Sequence, residues 1–119
     1  MLFTAKSRSV LFKAFAVLFL LTAIYHAAGL FIKINESPIW RHLLFVGINL
    51  FCVYGFLKRP KYFVYLFVLL LIQQYYSHGT DLVHLWNDQK QIDWISFFDL
   101  LILPIVLICL VEDSHAKQV

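Results

Sequence analysis

The chain alternates between long apolar blocks and short polar breaks, with little of the three-to-four-residue alternation that marks a helix half-buried in a soluble core. Four blocks stand out. Residues 10–32, VLFKAFAVLFLLTAIYHAAGLFI, are interrupted by Lys13 and His26. Residues 38–57, PIWRHLLFVGINLFCVYGFL, would span roughly 30 Å as a helix, the thickness of a bilayer core. Residues 61–78 run from Lys61 to His78, and residues 94–111, WISFFDLLILPIVLICLV, contain Asp99 and Pro104. Uninterrupted runs such as LFVLLLI do not alternate as barrel strands do, and lipid offers backbone groups no partner outside a helix or a closed barrel. The pattern predicts an all-α integral membrane protein: one domain over residues 1–119, an up-down bundle of four transmembrane helices. The first block reads as a helix and not as a signal peptide, because its apolar stretch runs on past any cleavage point.

Punctuation between the blocks supports this division. Ser37-Pro38 reads as an N-cap followed by proline at the first helical position. Pro60, within KRPK, marks a tight link. Gly79 reads as a left-handed stop to the third helix, and Asp93 as the cap of the fourth. The outer loop then covers residues 79–93, with DLVHLW as a candidate short interfacial helix anchored by Trp86 and Trp94.

Composition agrees: 61% of residues are hydrophobic and only 14% charged, too little charge to keep so small a domain in water. The placement of that charge sets the orientation. Lys6, Arg8, Lys13, Lys58, Arg59, Lys61 and Lys117 fall on one side, against Lys33, Arg41 and Lys90 on the other. The positive-inside rule therefore predicts both termini in the cytoplasm (N-in/C-in), in a plasma or inner membrane. The net charge of +3 is too small and scattered for nucleic acid and suits anionic lipid heads.

The polar residues gather at one end of the predicted helices. His26, His42, Asn49, Gln74, His78 and Asp99 occupy outer or central positions, and so do the acidic residues Glu36, Asp81, Asp88 and Asp93. Gln74, His78 and Asp81 stand at i, i+4, i+7, as do His42, Val46 and Asn49, so each set shares a helix face. Ser96 and Asp99 stand at i, i+3. Ionisable groups inside a membrane are costly and tend to face the protein interior, where they pair or mark a function. Asp99 is too short to snorkel easily, so it needs a partner or a proton. Tyr75 and Tyr76 read as part of an aromatic belt, and Cys52 and Cys109 as small hydrophobes.

Two chemistries fit such a cluster. His26, His42, Asn49, Gln74, His78 and Asp99 could line a pocket for a lipid, a quinone or another amphipathic ligand. Imidazole with carboxylate also suits a transition metal, with His26, His78, Asp81, His84 and Asp99 as candidate ligands. A bis-histidine haem would demand two histidines facing each other at matched depth. A proton-coupled transporter and a metal-dependent membrane enzyme are alternatives, although no nucleophile elbow, phosphate loop or H-E-x-x-H helix is present. Thiol–quinone chemistry lacks its C-x-x-C. A further alternative is an accessory or assembly subunit whose polar groups only clasp helices together, as membrane helices do. In either role the expected partners are the lipid bilayer and a homo-oligomer or other membrane subunits.

Overall fold

The computed structural model describes residues 1–34 and 37–118, so Glu36 lies outside the described residues. Four helices follow one another: α1 (Ala5–Ala28), α2 (Ile39–Lys58), α3 (Phe63–Gln89) and α4 (Trp94–Gln118). No strand occurs among the described residues. Three of the helices, α1, α2 and α4, are long and apolar enough to cross a membrane. The chain divides into two compact units, Leu2–Pro60 and Lys61–Val119, each a helical hairpin.

In the first hairpin, the buried positions of α1 include Phe12, Phe15, Ala16 and Ala23. Those of α2 include His42, Asn49, Cys52 and Phe56. Steps of three, four and seven residues place each set along one narrow seam, the pattern of two antiparallel helices packed side by side. Phe56 is fully buried and meets Phe12, Phe15 and Phe19 with ring centroids 6.4, 5.8 and 5.0 Å away. Lipid tails are as apolar as these rings, so close van der Waals contact holds the seam more than exclusion of water does. Beneath it, the Arg59 guanidinium lies 4.8 Å from the centre of the Phe12 ring.

The second hairpin has a similar seam, with Phe63 and Phe67 buried on α3 and Ser96, Leu103, Val106 and Leu110 buried on α4. Its register is fixed by two hydrogen-bonded pairs, Tyr75 with Leu100 and His78 with Ser96.

Helix ends differ from the sequence expectation in all four helices. α1 begins at Ala5, because the Thr4 side chain accepts a hydrogen bond from the Ser7 amide at 3.1 Å and caps a polar first turn. It closes at Ala28, and Gly29 to Ile32 continue as a turn. Pro38, not Ser37, takes the cap position of α2, so that helix starts one residue later than expected. The largest difference is at Gly79. No left-handed stop forms there; α3 continues for ten more residues to Gln89, and Lys90 makes the left-handed turn at φ 54°. One glycine costs a helix about 1 kcal/mol relative to alanine. The helix formers that follow it, Leu82, Leu85 and Gln89 among them, outweigh that cost. The expected loop over 79–93 thus shrinks to residues 90–93, and DLVHLW is the last part of α3 instead of a separate helix. α4 likewise runs past residue 111, with Asp113 and Lys117 paired at 3.1 Å across one turn.

Candidate functional site

Each hairpin carries its polar side chains near its own turn. In the second, Asp93 caps α4 as expected: Oδ1 accepts from the Ser96 amide at 3.2 Å, and Oδ2 from the Ser96 hydroxyl at 2.8 Å. Ser96, now fixed, lies 2.9 Å from His78 Nδ1 across the hairpin. The other ring nitrogen of His78, Nε2, lies 3.3 Å from Asp99 Oδ2. A chain of four side chains, Asp93–Ser96–His78–Asp99, thus joins α3 to the start of α4. The His78 side chain is 21% exposed and that of Asp99 43%, so Asp99 is paired with His78 and still part-exposed.

One turn below, Tyr75 donates its hydroxyl to the Leu100 carbonyl at 2.7 Å. Pro104 explains this contact. Proline has no amide hydrogen, and its ring pushes away the carbonyl four residues earlier, which here is that of Leu100. Tyr75 supplies the donor that Pro104 cannot. It therefore does more than join an aromatic belt, and the pairing was in principle available from the Leu100/Pro104 spacing.

In the first hairpin, His26 and His42 meet with Nδ1 atoms 3.0 Å apart and ring centroids 5.2 Å apart. The centroid separation is close to the nitrogen separation plus one ring radius at each side, so the two nitrogens point at each other. That is an N–H···N hydrogen bond. A tetrahedral metal would instead need the two lone pairs to converge on it at about 110°, and nitrogens aimed at each other do not offer that. Both rings are held by packing. Phe45 stacks on His26 at 5.2 Å and 22°. A Cβ built on Gly29 would lie 2.8 Å from the His42 ring, so a residue without a side chain is needed there. The Arg41 guanidinium sits 5.7 Å from the centre of the Phe45 ring.

The remaining candidates are more loosely placed. Asn49 is buried on the seam, but its amide donates to the Phe45 carbonyl of its own helix at 2.7 Å. Gln74 donates to Gln73 at 2.6 Å. Asp81 and His84 are exposed on α3. Among the described residues, no three of His, Cys, Asp and Glu gather in a group able to hold a metal ion. His78 also has both ring nitrogens engaged, by Ser96 and by Asp99. Cys52 and Cys109 are buried and not joined in a disulfide.

Comparison with known proteins finds no counterpart: no family model, no curated protein and no solved structure matches the chain. The site must therefore be read from its own chemistry. It was partly visible in the sequence, through His78 and Asp99, but Ser96 and Asp93 as the extension of that pair from the other ring nitrogen of His78 were not. Their signal was the D-x-x-S spacing, which reads first as a helix cap and only then as a relay.

Proposed function

We propose that this is a small polytopic membrane protein that binds a small amphipathic ligand at the polar turn end of the α3–α4 hairpin. The observation that carries the reading is Asp99: a carboxylate within a helix apolar enough to span a membrane, fixed by His78 and still 43% exposed. An isolated carboxylate there would be expensive. One that served only to join two helices would be expected to bury its whole face against its partner. The anchored, reachable oxygen suits a ligand head that is cationic or donates hydrogen bonds, with the exposed Trp94, Phe97 and Phe98 alongside to receive an apolar tail. In this reading α3 is the fourth span, both termini are cytoplasmic as the lysine and arginine bias indicates, and the protein works as a homo-oligomer or beside other membrane subunits.

A second reading is favoured by His26–His42 and Tyr75–Leu100: here the polar groups are clasps in an accessory subunit. One experiment separates the two. The protein is purified in mild detergent, and its metal content, visible spectrum and co-purifying small molecules are measured for wild type, His78→Ala and Asp99→Asn. Binding lost from a protein of unchanged thermal stability supports the ligand site. Stability lost while bound molecules are retained supports the clasp. Stoichiometric metal or a haem band would replace the amphipathic ligand with a cofactor.

A further inference from the structure

The hydrogen bonds of the α3–α4 cluster constrain how many protons it can hold. Asp93 accepts from both the amide and the hydroxyl of Ser96. A hydroxyl has one hydrogen, and that of Ser96 is given to Asp93. At 2.9 Å, His78 Nδ1 must then be the donor to Ser96 Oγ, since otherwise two lone pairs would face each other. With Nδ1 protonated, a neutral His78 would turn a bare Nε2 towards Asp99 Oδ2 at 3.3 Å. Against an ionised carboxylate that contact is repulsive. It becomes attractive only when a proton lies between them, either on Nε2 as an imidazolium or on Oδ2 as a carboxylic acid.

We infer that His78 and Asp99 form a proton-binding site holding one proton per chain at neutral pH, with Ser96 and Asp93 as the residues that enforce its occupancy. The acidic group that faces the pair from α4's cap is Asp93, whose Oδ2 takes the Ser96 hydroxyl. The Tyr75 hydroxyl on α3, one turn away, is committed to Leu100. The inference deepens the ligand reading: a cationic head that takes Asp99 releases this proton, whereas an uncharged one leaves it in place. It rests on that reading only for this consequence, because the proton count follows from the hydrogen bonds alone.

The test is nuclear magnetic resonance on the full chain in lipid nanodiscs, with nitrogen-labelled histidine and carboxyl-labelled aspartate, titrated about neutral pH. The expected result is either a doubly protonated His78 beside an ionised Asp99, or a neutral His78 carrying Nδ1–H beside a protonated Asp99. A neutral His78 beside an ionised Asp99 at pH 7 overturns the inference. Ser96→Ala supplies the second readout. It keeps the backbone cap but frees His78 to take the other tautomer, with Nε2–H donating to an ionised Asp99. Loss of a hydrogen bond to a charged group, about 1.5 kcal/mol, predicts roughly tenfold weaker proton binding, about one pH unit lower in midpoint. An unchanged midpoint in folded Ser96→Ala also overturns it. A protein that holds this proton yet binds no ligand would leave the inference standing and refute the ligand reading.

Discussion

Replacing Tyr75 with phenylalanine removes one oxygen and tests the account of the α4 interior. The hydroxyl donates to the Leu100 carbonyl at 2.7 Å, and Pro104 cannot supply the amide that would otherwise bond there. A buried acceptor left without a donor costs about 1–3 kcal/mol in water-soluble proteins. Hydrogen bonds between membrane helices are worth less, about 0.6 kcal/mol on average with a maximum near 1.7. Tyr75 is 40% exposed, which argues for the middle of that range, but no neighbouring amide can take over the role. The expected loss is about 1 kcal/mol. It should be read as a shift in the unfolding midpoint in mixed micelles, with Pro104→Ala as the second arm of a double-mutant cycle. Alanine at 104 restores an amide to Leu100, so Tyr75→Phe should then cost close to nothing. An equal cost in both backgrounds would refute the reasoning, because Tyr75 would then stabilise the hairpin by packing alone.

Three further substitutions probe other parts of the fold. Gly29→Ala places a methyl 2.8 Å from the His42 ring, and overpacking of that kind typically costs about 1–3 kcal/mol; thermal unfolding should show it, and restoration by His42→Ala would identify the ring as the obstacle. Asp93→Ala removes the α4 cap, at a cost of about 1 kcal/mol in unfolding experiments, and Asp93→Asn should recover most of it. Lys90→Asn eases a left-handed backbone at φ 54°, and a gain of roughly 0.5 kcal/mol is expected, partly offset by the lost contact of the Lys90 ammonium with Trp86 at 5.6 Å.

Block length and polarity were enough to find the four helices, because a membrane leaves few other ways to arrange long apolar runs. Helix ends were harder to read. Gly79 resembles a stop, but a stop also needs the following residues to leave the helix, and theirs do not. The polar first turn of α1 was invisible to a search for apolar length, although Thr4 with Ser7 is an ordinary cap. At the site, depth pointed to His26, His78 and Asp99. Depth could not say which would pair, since that depends on register: His26 found His42 on the neighbouring helix, and His78 found Ser96 and Asp99. Asn49 shows the limit of such reasoning. It lies on the expected face, yet it bonds back to its own helix.

The uneven make-up of α3 bears on how the protein is made. Only Phe63 to Ile72 are continuously apolar, about 15 Å of helix at 1.5 Å per residue, or half a bilayer core. The next turns carry Gln73, Gln74, Tyr75, Ser77 and His78, and the groups that satisfy Tyr75 and His78 belong to α4. A ribosome delivers α3 first, before Ser96, Asp99 and Leu100 exist. On its own the segment is a poor candidate for release into lipid, whereas α4 is long and apolar enough to cross a membrane. In the proposed four-span arrangement the second hairpin should therefore leave the insertion machinery as a pair, with α3 waiting in the channel until its neighbour has been synthesised.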